Sequence, residues 1–180
     1  SISKNIKVDI PIVADAKLAI EALLEYIEPH DLGDWPAQLQ QLKEERPVTQ
    51  AGEEGLTPQN IIDYINSHYD RPVVATDVGQ NQLWTTQFLE IEGNHQLLTS
   101  GGLGTMGYGF PAAIGAQFGN PTKRVFAICG DGGVQMNIQE FATAMHYHLP
   151  VTLVVINNGY LGNVRQWQQL FYDKRYACTN

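Results

Sequence analysis

Two short apolar runs, each ending in a polar turn, constrain this chain more than any other feature. Arg124 to Cys129 reads RVFAIC and leads into Gly130-Asp131-Gly132, while Val151 to Ile156 reads VTLVVI and leads into Asn157-Asn158, with 24 residues (133 to 156) between the two turns. Runs rich in Val and Ile and bounded by Gly or Asn are strands. A segment of this length between them suits the helical crossover that parallel strands require. Both turns then emerge at the carboxyl edge of one sheet, where open parallel sheets bind their ligands.

The rest of the sequence repeats the alternation. It predicts strands over 73–76 and 96–99, and helices or helical turns over 82–88, 109–118, 137–147 and 161–171. Thr57 and Pro58 open a further helix whose apolar stripe is Ile61, Ile62 and Ile65, since Thr is a good cap and Pro suits the first turn. Strands alternating with helices predict an α/β fold, a doubly wound parallel sheet with helices on both faces. Residues 57–180 would form this domain. Residues 1–28 read as an extended entry plus a helix from about Asp15 to Tyr26, and 29–56, with Pro29, Pro36, Pro47 and a KEER run, as a linker holding at most one short helix.

At 180 residues and 43% apolar content, the chain has enough apolar material for one core of ordinary size. Its net charge of −8, without a Lys/Arg cluster, argues against a nucleic-acid footprint. No apolar run approaches a membrane span and no leader is recognisable, so the reading is cytoplasmic, with no membrane partner. Cys129 in a core strand and Cys178 near the terminus fit reduced thiols. His95, His146 and His148 form no metal-ligand pattern.

The two turns carry the chemistry. A carboxylate at Asp131 and an amide oxygen at Asn158 are hard donors of the kind Mg²⁺ takes alongside phosphate oxygens. Gly132 and Gly133 let backbone amides approach a diphosphate closely, and a helix starting near Asn137 would aim its positive end at the same charge. The ligand this predicts is a metal-bound diphosphate. Read singly, Asp131 is also a helix cap, and Asn157-Asn158-Gly159 is also a turn.

The triplet, the 24-residue interval and the Asn pair together resemble the signature of thiamine diphosphate enzymes. TSGGLGTMGYGFPAAIGAQ (Thr99 to Gln117), ATDVGQNQLW (Ala75 to Trp84) and YLGNVRQWQQLFYDKRY (Tyr160 to Tyr176) narrow the resemblance to the acetolactate synthase catalytic subunit family, over roughly residues 58 to 180. Residues 1–28 more weakly resemble the tail of that family's middle domain.

The resemblance implies thiamine diphosphate and Mg²⁺ as cofactors. It makes Asp131, Asn158 and the Tyr160 carbonyl the metal ligands, and puts Gln80, Asn81, Gly130, Gly132 and Gly133 around the diphosphate. The backbone of Gly104 would accept from the cofactor's amino group, Met106 would prop the thiazolium, and Trp167 would line the substrate channel. Two positions depart from the pattern: Asn81 stands where the family usually has His, and Asn163 where it has Met.

The implied reaction decarboxylates pyruvate and joins the two-carbon unit to a second pyruvate or to 2-ketobutyrate, giving 2-acetolactate or 2-aceto-2-hydroxybutyrate for branched-chain amino acids. The full-length family members hold FAD in their middle domain, assemble as homodimers or tetramers and in some cases bind a small regulatory subunit. Their activating glutamate comes from another domain of a partner subunit. The chain reads as a piece of such a subunit, with an incomplete sheet, inactive by itself. Pyruvate oxidase, glyoxylate carboligase and sulfoacetaldehyde acetyltransferase share the metal motif, and a non-catalytic diphosphate-binding module is a further alternative.

Overall fold

The computed structural model describes residues 2–49, 54–93 and 96–180. His95 lies outside them, as do 50–53 of the expected linker. The chain divides into two compact units, 1–48 and 49–180.

The first unit contains helices α1 (Ala16–Leu24) and α2 (Trp35–Glu45), neither of which buries a residue. Asp15 caps α1 through its carboxylate, which accepts from the Lys17 and Leu18 amides at 3.0 and 3.3 Å. The helix in the expected linker runs to 11 residues. Pro36 suits its first turn, where its missing N–H costs nothing.

The second unit is built on four parallel strands: β1 (Val73–Thr76), β2 (Leu97–Thr99), β3 (Val125–Gly130) and β4 (Thr152–Ile156). Their order is β2-β1-β3-β4, with Ala75 opposite both Leu98 and Ala127, and Gly130 opposite Ile156. Successive side chains of a strand face opposite sides, and this chain uses both. Val73, Ala75, Val125, Ala127 and Cys129 join Phe110, Ala113 and Ile114 of helix α5 (Gly109–Gly119) in one core. Val74, Phe126 and Ile128 join Ile62 and Ile65 of helix α3 (Pro58–His68), and Leu89, in the other. Each fully buried aliphatic side chain contributes about 1.5–3 kcal/mol. The sheet is thus covered on both faces, the doubly wound α/β arrangement that the sequence predicts.

Strand order places the ligand edge. Helix α4 (Gln80–Phe88) leads from β1 outward to β2, and α5 brings the chain back across β1 to β3. From β3 the chain continues away to β4. The loops leaving β1 and β3 therefore part in opposite directions, and a crevice opens at their carboxyl ends.

One predicted element is corrected. The helix expected over 137–147 is broken: α6 (Asp131–Met136) starts directly after β3, Asn137 leaves helical geometry at φ −131° and ψ 37°, a 3₁₀ turn covers Ile138–Glu140, and α7 (Phe141–His146) follows. The Asn137 side chain donates to the Gly107 carbonyl at 2.7 Å, a tertiary bond that local helix propensity does not register. Gly132 and Gly133 therefore sit in the first turn of a helix, and no helix starts at Asn137 to face a ligand. The last helix, α8, spans Gly162–Phe171.

Candidate cofactor site

Three segments converge at the crevice. The β1–α4 turn supplies Gln80 and Asn81, the start of α6 supplies Asp131, Gly132 and Gly133 after Gly130, and the β4–α8 turn supplies Asn158 and Tyr160. Together with Met106 they line one pocket with a cavity of about 120 Å³, whose remaining wall includes the apolar Val78, Trp84, Ile156, Leu161 and Val164. Asp131 and Asn158, which the sequence placed 27 positions apart at two strand ends, face the same space.

Asp131 is half-buried, and among the described residues nothing hydrogen-bonds or ion-pairs with its carboxylate. The backbone N–H groups of the first turn of α6 have no intrahelical acceptor either. The pocket therefore sets a free anionic oxygen beside free amide donors, a pairing that suits a cation bridging to an anion. No group of three or more His, Cys, Asp or Glu side chains among the described residues could hold a metal. A cation here would rely on one carboxylate, neutral oxygens and the ligand's own phosphates, a donor set that fits Mg²⁺.

Asn158 has a double role. Its Oδ1 accepts from the Tyr160 amide at 3.0 Å, closing the turn, while its Nδ2 donates to Gln80 Oε1 at 3.1 Å and Gln80 Nε2 reaches Gln166 Oε1 at 3.2 Å. Asn157 also closes a turn, accepting from the Gly159 amide at 3.2 Å. The turn reading of both residues is thus satisfied, and of the two Asn158 also lines the pocket. Gly162 makes room for the amide chain: a Cβ there would overlap Gln80 Oε1 and lie 2.7 Å from Asn158 Nδ2. Arg165 stacks between the Tyr160 and Tyr176 rings, 4.2 and 3.9 Å from their centroids. The guanidinium ties the Tyr160 turn to the chain terminus, where Leu161 N donates to Thr179 O at 2.8 Å.

Asn81 is buried, and its Oδ1 has no hydrogen-bond partner. An orphaned acceptor calls for a donor, so in this rotamer Asn81 suits a donor-bearing ligand group better than a phosphate oxygen. Gly104 and Trp167 are not on the pocket wall. Gly104, at φ +64°, packs beside Val78, and Trp167 is 57% exposed on α8, in an adjoining surface hollow that shares Val164 with the pocket and includes Tyr172.

Asp77 escaped the sequence reading. It follows β1 directly, is 0% exposed, and its carboxylate accepts from the backbone N–H groups of Val78 at 2.8 Å, Gly107 at 3.0 Å and Gly109 at 2.9 Å. A carboxylate placed immediately after an apolar strand, at the ligand edge, was its only trace in the sequence. Burial and, secondarily, the Asp77 charge push the Cys129 thiol from 9.0 to about 12, so this thiol is inert at neutral pH.

A family model described as the thiamine pyrophosphate enzyme C-terminal TPP binding domain matches residues 77–180. The chain therefore belongs to the thiamine pyrophosphate (thiamine diphosphate) enzymes, as a member of their C-terminal cofactor-binding domain family. Among curated proteins it resembles the acetolactate synthase large subunit of Lactococcus lactis, 42% identical over 97% of this chain and 31% of the relative. The Corynebacterium glutamicum acetolactate synthase large subunit is 42% identical over 99% and 30%. A probable acetolactate synthase large subunit of Methanococcus aeolicus is 38% identical over 99% and 33%. The chain spans about a third of the length of these relatives. Among the described residues no helix is long and apolar enough to cross a membrane.

Proposed function

We propose that this chain is the cofactor-binding part of an acetolactate synthase large subunit. In that role it would help decarboxylate pyruvate and condense the two-carbon unit with a second pyruvate or with 2-ketobutyrate, in branched-chain amino acid biosynthesis. The observation that carries the reading is the meeting of the unpartnered Asp131 carboxylate, the Asn158 turn and the Gly132–Gly133 backbone in one pocket at the switch point of the sheet. Its similarity to acetolactate synthase large subunits favours this reaction among those of thiamine enzymes.

Asp131, Asn158 and the Tyr160 carbonyl would hold Mg²⁺, and the Gly132 and Gly133 amides would receive the diphosphate with Gln80 beside it, while Asn81 would meet a donor-bearing group of the cofactor. When bound, thiamine diphosphate supplies the electron sink for loss of carbon dioxide from a 2-ketoacid. The protein's part is orientation and exclusion of water. Met106, Leu161 and Trp84 offer an apolar wall to the thiazolium side, Gly104 a backbone acceptor for the amino group, and Trp167 a surface against which a second ketoacid is selected. FAD, a homodimeric or tetrameric assembly, a small regulatory subunit and a cytoplasmic location belong to the same proposal.

Calorimetry tests the site. Thiamine diphosphate with Mg²⁺ should bind, ADP with Mg²⁺ should not, and Asp131→Ala should abolish the binding. Equal uptake of both diphosphates would refute the assignment in favour of a generic phosphate module. The reaction is tested by following 2-acetolactate formation from pyruvate in the protein's native assembly. Carbon dioxide release without a carbon–carbon coupled product would overturn the carboligase reading.

A further inference from the structure

We infer that Asp77 and Asn137 are positioning residues that clamp Gly107 from two sides and thereby set Met106 over the Gly132–Gly133 turn. The inference rests on the reading of this pocket as a thiamine diphosphate site. Gly107 N–H donates to Asp77 Oδ1 at 3.0 Å, and Gly107 C=O accepts from Asn137 Nδ2 at 2.7 Å. One side chain comes from the end of β1 and the other from the break after α6, so the loop is tied to the two segments that flank the crevice. Gly107 itself sits at φ +85°, a conformation that costs glycine nothing and other residues energy. Met106 is the residue before it. A Cβ on Gly132 would lie 3.6 Å from Met106 Cε, so the thioether reaches the turn that lines the pocket.

Asp77 also touches that turn. A Cβ on Gly133 would overlap Asp77 Oδ1 and lie 2.7 Å from its Cγ, so the carboxylate fits under the turn only because Gly133 has no side chain. A buried negative charge beneath an anion site is a poor choice if only a fold anchor is needed, because it repels the ligand. It is a good choice for pinning a loop. A carboxylate offers acceptor sites for all three N–H donors around it, whereas an amide offers one oxygen and two hydrogens that would oppose those donors. No cation pairs with Asp77 among the described residues, so the three backbone bonds are its compensation for burial.

Asp77→Asn keeps the volume and breaks the clamp, and Asn137→Ala breaks its other half. The full chain and both variants are titrated calorimetrically with Mg²⁺ plus thiamine diphosphate and, separately, with Mg²⁺ plus inorganic diphosphate. The ¹³C-methyl resonance of Met106 is recorded without ligand. In both variants thiamine diphosphate should bind about tenfold more weakly, the equivalent of one hydrogen bond. Inorganic diphosphate should bind unchanged, or more tightly in Asp77→Asn because a negative charge is gone, and the Met106 methyl should shift. Loss of both ligands by the same factor, or no change in either, would make the two residues fold anchors only and overturn the inference. If Asp77→Asn fails to fold, Asn137→Ala, at a half-buried position, decides by the same ratio. A wild-type chain that binds neither probe would overturn the cofactor reading and this inference with it, a result distinct from a wild type that binds both while the variants show no split.

Discussion

Helix α5 carries two glycines for which the structure predicts opposite outcomes on replacement by alanine. At Gly109 an added Cβ would stand 2.6 Å from the Asp77 amide nitrogen and 3.0 Å from both Asp77 Cα and Cys129 Sγ. These atoms belong to the end of β1 and to the buried strand β3, and none is the tip of a flexible side chain. Ordinary carbon contacts lie at about 3.5–4.0 Å, so the helix start must retreat by about 1 Å. Overpacking of this kind costs about 1–3 kcal/mol. The retreat also stretches the Gly109 N–H bond to Asp77 Oδ2, now 2.9 Å, and a bond to a buried charged group is worth about 1.5–3 kcal/mol. Better helix propensity returns about 1 kcal/mol. The net expectation for Gly109→Ala is a loss of about 1.5–5 kcal/mol. Gly115, six residues further along the same helix, is exposed and has nothing within 4 Å of its Cβ position. Gly115→Ala should stabilise by about 0.4–1 kcal/mol. Urea titration followed by far-UV circular dichroism measures both, as shifts in midpoint at constant slope. A Gly109→Ala midpoint within about 0.5 kcal/mol of wild type, or a destabilised Gly115→Ala, would refute this account of how α5 seats against Asp77.

Thr57→Ala should cost about 1 kcal/mol, because the Thr57 side chain accepts from the Asn60 amide at 3.2 Å while Asn60 Oδ1 accepts from the Thr57 amide at 3.0 Å; an unchanged urea midpoint would argue against this cap. Cys129 titrates with a folded pKa raised from 9.0 to about 12, so the native state keeps a proton that the unfolded chain releases. That contribution is complete below pH 9 and is lost as pH rises from 9 towards 12. Cys129→Ala should therefore lose less stability than wild type over that window. Iodoacetamide at pH 8 should label exposed Cys178 alone in the native chain, and both thiols in urea; native labelling of Cys129 would show that β3 opens.

Much of the site was legible in the sequence because its chemistry is encoded at strand ends. RVFAIC is apolar on both faces, as a strand buried between two helical layers must be. VTLVVI forms the half-buried strand β4, with Val155 exposed, yet keeps the same apolar run, and the residues that follow parallel strands collect at one edge. Asp131 and Asn158 could therefore be paired before their separation in space was known. The break at Asn137 was not legible, since nothing in ATAMHYH or its approach forbids a longer helix. The bond from Asn137 to the Gly107 carbonyl, across 30 positions of sequence, ends it.

Asp77 shows the same boundary between local and tertiary information. An aspartate after a strand is ordinary in sequence, and its importance arises only when Gly107 and Gly109 bring their N–H groups to it and Gly133 leaves it space. Periodicity and turn chemistry are local, so the amino-acid order alone determined the parallel α/β architecture, the ligand edge and the acidic and amide positions on it. Tertiary structure decided which backbone groups meet a buried charge, which glycines must stay glycine, and that Gly104 and Trp167 stand outside the pocket wall. Those outcomes depend on distances between segments that no local pattern carries.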